Sequence, residues 1–92
     1  MKPLRWTSHA LAALVDRGID QAEVEQTIAA PELSIIDPPQ RAVLMRRYFD
    51  FLLGREMLLR AVVEETPDER VVITVCKYKT SQIAKYLKRT VP

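Results

Sequence analysis

Three long runs of residues typical of β-strands fill most of the second half of the chain, and they constrain its fold most strongly. They extend over residues 41–53, 56–65 and 70–77, and Val, Leu, Ile, Tyr and Phe are frequent in them. Such side chains favour a pleated, half-buried surface. Turn residues at 54–55 (Gly-Arg) and 66–69 (Thr-Pro-Asp-Glu) separate the runs. This spacing predicts an antiparallel meander.

Two short helices are predicted ahead of these strands. Thr7 or Ser8 can cap the first helix, and Gly18 can end it because glycine readily adopts the left-handed C-cap conformation. Asp20 can cap the second helix, and Pro31 prevents it from continuing. The apolar residues between these signals recur at helical spacing. The two helices therefore form a predicted helical hairpin.

The remaining elements complete the order α-α-β-β-β-β-α. A short strand is predicted at residues 33–36, and Thr80 or Ser81 can cap a final helix. Helices and strands that are grouped along the chain are typical of α+β domains. We predict one α+β domain over residues 1–92, in which the N-terminal helical hairpin packs on a four-stranded antiparallel sheet, with a C-terminal helix. A chain of 92 residues fits a single domain.

The composition narrows the class of protein. With 48% hydrophobic and 28% charged residues, the chain resembles an ordinary globular protein. It has no apolar run of the roughly 20 residues that cross a bilayer, so no membrane association is expected. Cys76 is the only cysteine, which fits a reducing cytoplasm. One histidine and one cysteine are a poor basis for a zinc site, and we predict neither a metal nor another cofactor.

Charge is distributed unevenly along the chain. Residues 1–40 carry three cations and six acids, whereas residues 41–92 carry eleven cations and six acids. From Lys77 onward there are five cations and no acid, and two tyrosines lie among them. Such a segment is typical of nucleic-acid surfaces, which makes Lys77, Lys79 and Lys85 candidate RNA ligands. The alternative is that these cations complement the dipole of a C-terminal helix.

Alternation along the strands predicts which side chains share a face of the sheet. One face is nearly all apolar and should meet the helices. The other is predicted to carry Arg46, Tyr48, Arg60, Thr74 and Cys76. Because guanidinium groups match phosphate oxygens, this face is a candidate anion-binding surface. An ordinary solvated face of an antiparallel sheet is the alternative.

His9 is the only histidine, and it suggests acid–base chemistry. Cleavage of RNA by its own 2′-hydroxyl needs a proton-transfer group and cations around the phosphorane, and imidazole serves as acid or base near neutral pH. Arg46, Arg60 and Thr74, together with Lys77, are predicted to supply the other parts. Arg17 lies on roughly the same side of its helix as His9. The alternatives are a surface histidine without a special role, and an arginine that complements the helix dipole.

Short motifs give the chain a resemblance to a known family. They are Trp6-Thr7-Ser8-His9-Ala10, Asp16-Arg17-Gly18-Ile19 and Val72-Ile73-Thr74-Val75. The sequence resembles a widespread small prokaryotic domain of unknown function that has been grouped with the RelE-like toxins in the barnase–EndoU–colicin–RelE-like fold. This resemblance implies a metal-independent ribonuclease or toxin-like domain with an antitoxin partner. It matches His9, Arg17 and Thr74 to residues of the family.

Together these observations predict a cytoplasmic, RelE-like, RNA-binding domain that is also a candidate metal-independent endoribonuclease. Its catalytic residues would be His9, Arg46, Arg60 and Thr74, and its further RNA ligands Arg17, Lys77, Lys79 and Lys85. RNA, an acidic antitoxin and a second copy of the chain are the expected partners. The alternative is a non-catalytic interaction or homodimerising module that uses the apolar segment 49–53. A DNA-binding regulator is less well supported, since the helix pair is acidic.

Overall fold

The computed structural model describes residues 2–37 and 40–79, which form five strands and two helices. The elements in chain order are β1 (Leu4–Trp6), α1 (Ser8–Arg17), α2 (Gln21–Ala29), β2 (Leu33–Asp37), β3 (Arg41–Asp50), β4 (Arg55–Glu65) and β5 (Arg70–Lys79). The predicted C-terminal helix lies outside the described residues.

The helix boundaries agree with the sequence signals. Thr7 is the N-cap of α1, and its hydroxyl accepts a hydrogen bond from the backbone N–H of Ala10 at 3.0 Å. Gly18 ends α1 in the left-handed conformation with φ 60°, where a side chain would add strain. Asp20 caps α2 by accepting from the N–H of Ala22. Local capping chemistry therefore predicts both helices correctly.

The strands form one five-stranded mixed sheet in the order β1-β5-β4-β3-β2. The meander of β3, β4 and β5 is antiparallel, as predicted, and β2 pairs with β3. The prediction of a purely antiparallel four-stranded sheet is wrong, because β1 joins the edge of β5 in parallel. The three residues of β1 are too few for an alternation pattern, and their partners, residues 70–72, are distant in sequence.

Both helices pack on one face of this sheet, α1 against β5 and α2 against β3 and β4. Between them lies the main apolar core, whose fully buried side chains include Val24, Leu59, Val63, Val72 and Val75. The main contacts of each helix are with the sheet. The predicted helical hairpin is therefore better described as two helices placed side by side on the sheet. A smaller apolar cluster around Met45 and Leu58 lies on the opposite face.

A bulge in β5 changes the predicted division of side chains between the faces. Thr74 pairs with Val62, but Val72 pairs with Val63, which leaves Ile73 as an extra residue. Val72 and Val75 therefore both reach the main core, although simple alternation puts them on opposite faces. The predicted assignment of β5 side chains to the two faces is therefore wrong for the residues before the bulge, because the extra residue moves each of them to the opposite face.

Candidate functional site

Thr7 attaches the start of α1 to β5. Its backbone N–H donates to the carbonyl oxygen of Val72 at 3.2 Å, and its hydroxyl lies 3.0 Å from that oxygen and 3.2 Å from the carbonyl oxygen of Ile73. The same hydroxyl caps the helix. One side chain thus determines where the first turn of α1 meets the bulged part of β5.

This attachment brings His9 to Thr74. The His9 Nε2 atom lies 3.3 Å from the Thr74 Oγ1 atom, although 65 positions separate the two residues in sequence. The contact lies at the exposed surface of the molecule. In either neutral tautomer, the contact with Thr74 uses Nε2 and leaves Nδ1 as the second ring nitrogen for proton transfer. The structure thus brings together two of the predicted site residues.

Arg60 shares a face with Thr74. It pairs with Cys76, two residues along β5 from Thr74, and Thr74 pairs with Val62 of the same strand β4. Side chains at these register positions lie on one side of the sheet. Within the described part of the chain, the buried Arg60 Nε has no hydrogen-bond partner. The Arg60 guanidinium also forms no ion pair with a described carboxylate.

Arg46 lies on the other face, and this corrects the predicted clamp of two arginines. It pairs with Leu59, whereas Arg60 pairs with Met45, so the two arginines point to opposite sides. Arg46 is held by α2: its Nη2 donates to the carbonyl oxygen of Glu23 at 3.2 Å, and its Nε donates to the Thr27 hydroxyl at 3.3 Å. Its Nη2 also lies 3.5 Å from the Glu23 carboxylate. The alternation argument failed because Arg46 is an interior position on the helix-covered face.

Lys77 also takes part in an internal network. Its Nζ lies 2.6 Å from Asp50 Oδ2 and donates to the carbonyl oxygen of Gly18 at 3.0 Å. The Tyr48 hydroxyl donates to the same carboxylate at 3.0 Å. The two charged side chains are largely buried. The Lys77 ammonium therefore joins α1, β3 and β5, and its charge is already balanced within the fold.

The ionisation of this network follows from its burial and its hydrogen bonds. Burial, together with the hydrogen bond to Asp50, raises the pKa of Tyr48 well above its usual range. Burial alone would raise the pKa of Asp50 as well. Hydrogen bonds from Lys77, the Leu53 backbone and Tyr48 outweigh that effect and lower the pKa of Asp50. The Asp50 carboxylate accordingly remains ionised at neutral pH.

The other predicted RNA ligands lie along or beyond β5. Arg17 donates from Nη1 to the carbonyl oxygen of Val75 at 3.0 Å and lines a surface recess of about 490 Å³ with Cys76, Lys77 and Tyr78. Lys79 is exposed at the end of β5. Neither Arg17 nor Lys79 forms an ion pair with a carboxylate of the described residues. Lys85 lies outside the described residues.

Sequence reasoning missed Asp50 because it read residues 41–53 as one strand. The structure ends β3 at Asp50, whose Oδ1 accepts from the N–H groups of Leu52 at 2.9 Å and Leu53 at 3.1 Å. An aspartate that bonds the backbone two residues ahead is a common turn signal. In the sequence, the turn is indicated by Asp50 as the single acid of the apolar segment Phe-Asp-Phe-Leu-Leu, which Gly54 follows.

Metal-binding clusters and membrane-crossing helices are both absent from the described residues. Across residues 2–37 and 40–79, no three His, Cys, Asp or Glu side chains come together as a group that could bind a metal ion. Neither α1 nor α2 has the length and apolar character of a membrane-crossing helix.

Comparison with known proteins identifies the family. The model of a domain of unknown function, DUF4258, matches residues 6–77. The chain belongs to this family. The matched range begins at Trp6 and includes His9, Thr74 and both helices. No curated protein and no solved structure matches the chain.

Proposed function

We propose that this DUF4258 domain binds RNA along β5 and cleaves it with His9 as the proton-transfer group. The proposed binding surface, called the β5 surface below, consists of His9, Arg17, Arg60, Thr74 and Lys79. Arg46 and Lys77 have no place in it, because Glu23 and Asp50 already pair with them. Lys85 remains a proposed RNA ligand by sequence alone.

The contact between His9 and Thr74 is the observation that carries this proposal. A helix and a strand bring the imidazole and the hydroxyl within 3.3 Å of each other at the exposed surface. An imidazole whose orientation is set by a neighbouring hydroxyl is suited to proton transfer. A histidine without a function needs no such partner, and the Thr7 cap alone would have sufficed to begin the helix.

Charge along β5 is consistent with a phosphate backbone as the ligand. Thr74 and Lys79 are five residues apart, which corresponds to about 17 Å of extended strand. Arg60 lies along this length on the face of Thr74, whereas Lys79 pairs with Met57 on the helix-covered face and Arg17 ends α1. None of these three cations pairs with a carboxylate of the described residues. Cations in this state provide the electrostatic part of nucleic-acid binding.

The proposed reaction is transesterification within RNA. His9 takes the proton of a 2′-hydroxyl, the 2′-oxygen attacks the adjacent phosphorus, and the bond from phosphorus to the 5′-oxygen breaks. The products are a 2′,3′-cyclic phosphate and a 5′-hydroxyl whose proton comes from solvent. Arg60 stabilises the charge on the phosphorane, and the Thr74 hydroxyl positions the imidazole.

The resemblance to RelE-like toxins supports the same proposal. The proposal therefore includes the properties that the resemblance implies, namely a RelE-like fold, toxin activity, an acidic antitoxin partner and a cytoplasmic location. The helices α1 and α2 carry the acids Asp16, Glu23 and Glu25, and Asp20 caps α2, whereas the β5 surface contains no acid. An acidic partner would therefore compete with RNA for the β5 surface and avoid these acidic side chains.

The test measures cleavage of total RNA and of a labelled oligonucleotide by His9→Ala and by Ser8→Ala. Ser8 is an exposed neighbour in the same helical turn, so it controls for effects on the helix. We expect His9→Ala to cleave about 10²–10⁴-fold more slowly, with RNA affinity nearly unchanged, and Ser8→Ala to retain its rate. Equal cleavage by both variants would remove His9 from the mechanism. Absence of both binding and cleavage in the unmodified protein would reject the proposed function.

A further inference from the structure

The turn between β3 and β4 presents an apolar surface that the RNA proposal does not use. The hairpin tip, defined here as residues 49–54, exposes Phe51 to 88% and Leu52 to 80%, and Phe49 and Leu53 to about half. Large apolar side chains in such a group are uncommon on a monomer unless they bind something. We propose that the hairpin tip is a homodimer interface, in which the tips of two copies of this chain pack against each other.

The hairpin tip is held in a defined shape before any partner binds. Asp50 accepts hydrogen bonds from the N–H groups of Leu52 and Leu53, and the Gly54 N–H donates to the Asp50 carbonyl oxygen at 2.7 Å. The largely buried side chains of Lys77 and Tyr48 donate hydrogen bonds to the same carboxylate from the interior of the protein. The Phe49 and Phe51 rings meet edge to face, with centroids 4.9 Å apart. A pre-formed surface loses little conformational entropy on binding.

Charge at the tip favours a second copy as the partner. Within residues 49–54 only Asp50 is charged, and it is buried and paired with Lys77. A two-fold interface brings identical surfaces together, so a charged patch would repel its own copy. The tip has no unbalanced charge, and its aromatic and leucine side chains are of the types that pack well against themselves. A partner selected by charge would have no complementary group to recognise here.

The exposed area is also sufficient for a small dimer interface. A fully buried aromatic side chain covers about 150–250 Å², so the four tip residues, two of them only half exposed, offer on the order of 500 Å² per copy. Two copies would bury roughly 1,000 Å², which is the size of a weak, transient protein–protein interface. This area predicts a reversible dimer that depends on protein concentration.

Sedimentation equilibrium of the full chain over a range of micromolar to submillimolar concentrations tests the dimer. Phe51→Glu removes the most exposed ring without changing the core, and it should weaken dimerisation at least tenfold. Ile36→Glu is the matched control: Ile36 is 75% exposed and pairs with Ala42, near the far end of β3. About 23 Å of strand separates that position from the tip. Ile36→Glu should dimerise like the unmodified chain, and thermal melting of both variants checks that they fold.

Several outcomes would overturn the proposal. The unmodified chain would be a monomer at every concentration, or Phe51→Glu would dimerise as strongly as Ile36→Glu. A monomer that floats with neutral phosphatidylcholine vesicles through Phe51 would assign the tip to a lipid surface instead. Because the tip and the β5 surface share no residue, RNA binding by Phe51→Glu should be unchanged per chain, so this test is independent of the proposed function.

Discussion

Arg46 and Arg60 lie on neighbouring strands and point to opposite sides of the sheet, where their surroundings differ. Arg46 is covered by α2 and donates to the Glu23 carbonyl oxygen and the Thr27 hydroxyl. Arg60 lies on the face without the helices and has a buried Nε that lacks a partner among the described residues. Neither residue type nor the alternation along each strand distinguishes these two arginines. Arg46 is therefore held within the fold, whereas the buried Arg60 Nε has no such partner among the described residues.

Lys77 and Lys79 repeat this contrast within one strand. Lys77 is largely buried and paired with Asp50, and Lys79 is exposed at the end of β5. Lys77 and Lys79 pair with Leu59 and Met57 on the same face of the sheet, so the exposed end of the strand, and not the face, distinguishes Lys79 from Lys77. Each of the following predictions tests whether this division into structural and ligand-binding cations is real.

The largest expected effect is on stability, through the buried ion pair. Lys77→Met removes the ammonium and leaves the Asp50 carboxylate buried without its counter-charge, which typically costs about 3–5 kcal/mol. We expect the free energy of unfolding in urea to fall by that amount. Lys79→Met, two residues along the same strand, is the control and should change it by no more than about 0.5 kcal/mol. Similar losses in both variants would abolish the contrast within β5.

Acid should weaken the same pair. Because the folded state lowers the pKa of Asp50, its contribution to stability is present above the ordinary aspartate pKa of about 3.9 and is lost as the pH falls through the lowered value. Lys77→Met removes the main hydrogen bond that lowers this pKa. The difference in unfolding free energy between the two proteins should therefore narrow between about pH 5 and pH 2. A constant difference over this range would contradict the role of the ionised pair.

The Arg46 prediction tests the helix-covered face directly. Arg46→Met should lower the free energy of unfolding by about 1–3 kcal/mol, because the Thr27 hydroxyl and the Glu23 carbonyl oxygen lose a charged donor. Its affinity for RNA should stay within about twofold, since a cation paired inside the protein contributes little to counterion release. Urea denaturation and fluorescence anisotropy measure the two quantities. Loss of RNA binding with unchanged stability would contradict this structural role and indicate that Arg46 binds RNA.

The smallest expected effect is that of Arg60 on affinity. Arg60→Gln should weaken RNA binding by about 3–10-fold and lower the slope of log affinity against log salt by about 1. Its stability should change by no more than about 0.5 kcal/mol. Arg55→Gln, at the exposed start of the same strand, is the matched control and should bind RNA like the unmodified chain. Equal effects of the two substitutions would indicate general electrostatic attraction without a specific β5 surface.

Much of the local structure was predictable from sequence, because its causes are local. Thr7, Gly18 and Asp20 mark helix ends through hydrogen bonds and backbone preferences that involve only a few neighbours. The strands of the meander follow from alternating apolar residues and from turn residues between them. The exposed hairpin tip was also visible, as an apolar segment without a partner element in the sequence.

The site was predictable only in part. The resemblance named His9 and Thr74 as site residues, and the structure places their side chains in contact. The prediction that Arg46 and Arg60 share a face was wrong. Strand alternation shows which side chains of one strand lie on the same side, but the register between strands decides which side chains of two strands do so. The bulge at Ile73 and the partners of Lys77 likewise depend on residues that are distant in sequence.

The sequence by itself determined the helix caps, the order of the long strands and the apolar segment at the turn, since each depends on interactions within about ten residues. Tertiary structure alone decided that β1 adds a parallel strand, which cations carry internal partners, and that His9 meets Thr74. The physical reason is that pairing across strands and between elements joins residues far apart in sequence, such as Leu4 and Arg70, which are 66 positions apart. Such pairing depends on register and packing, which short-range patterns do not encode.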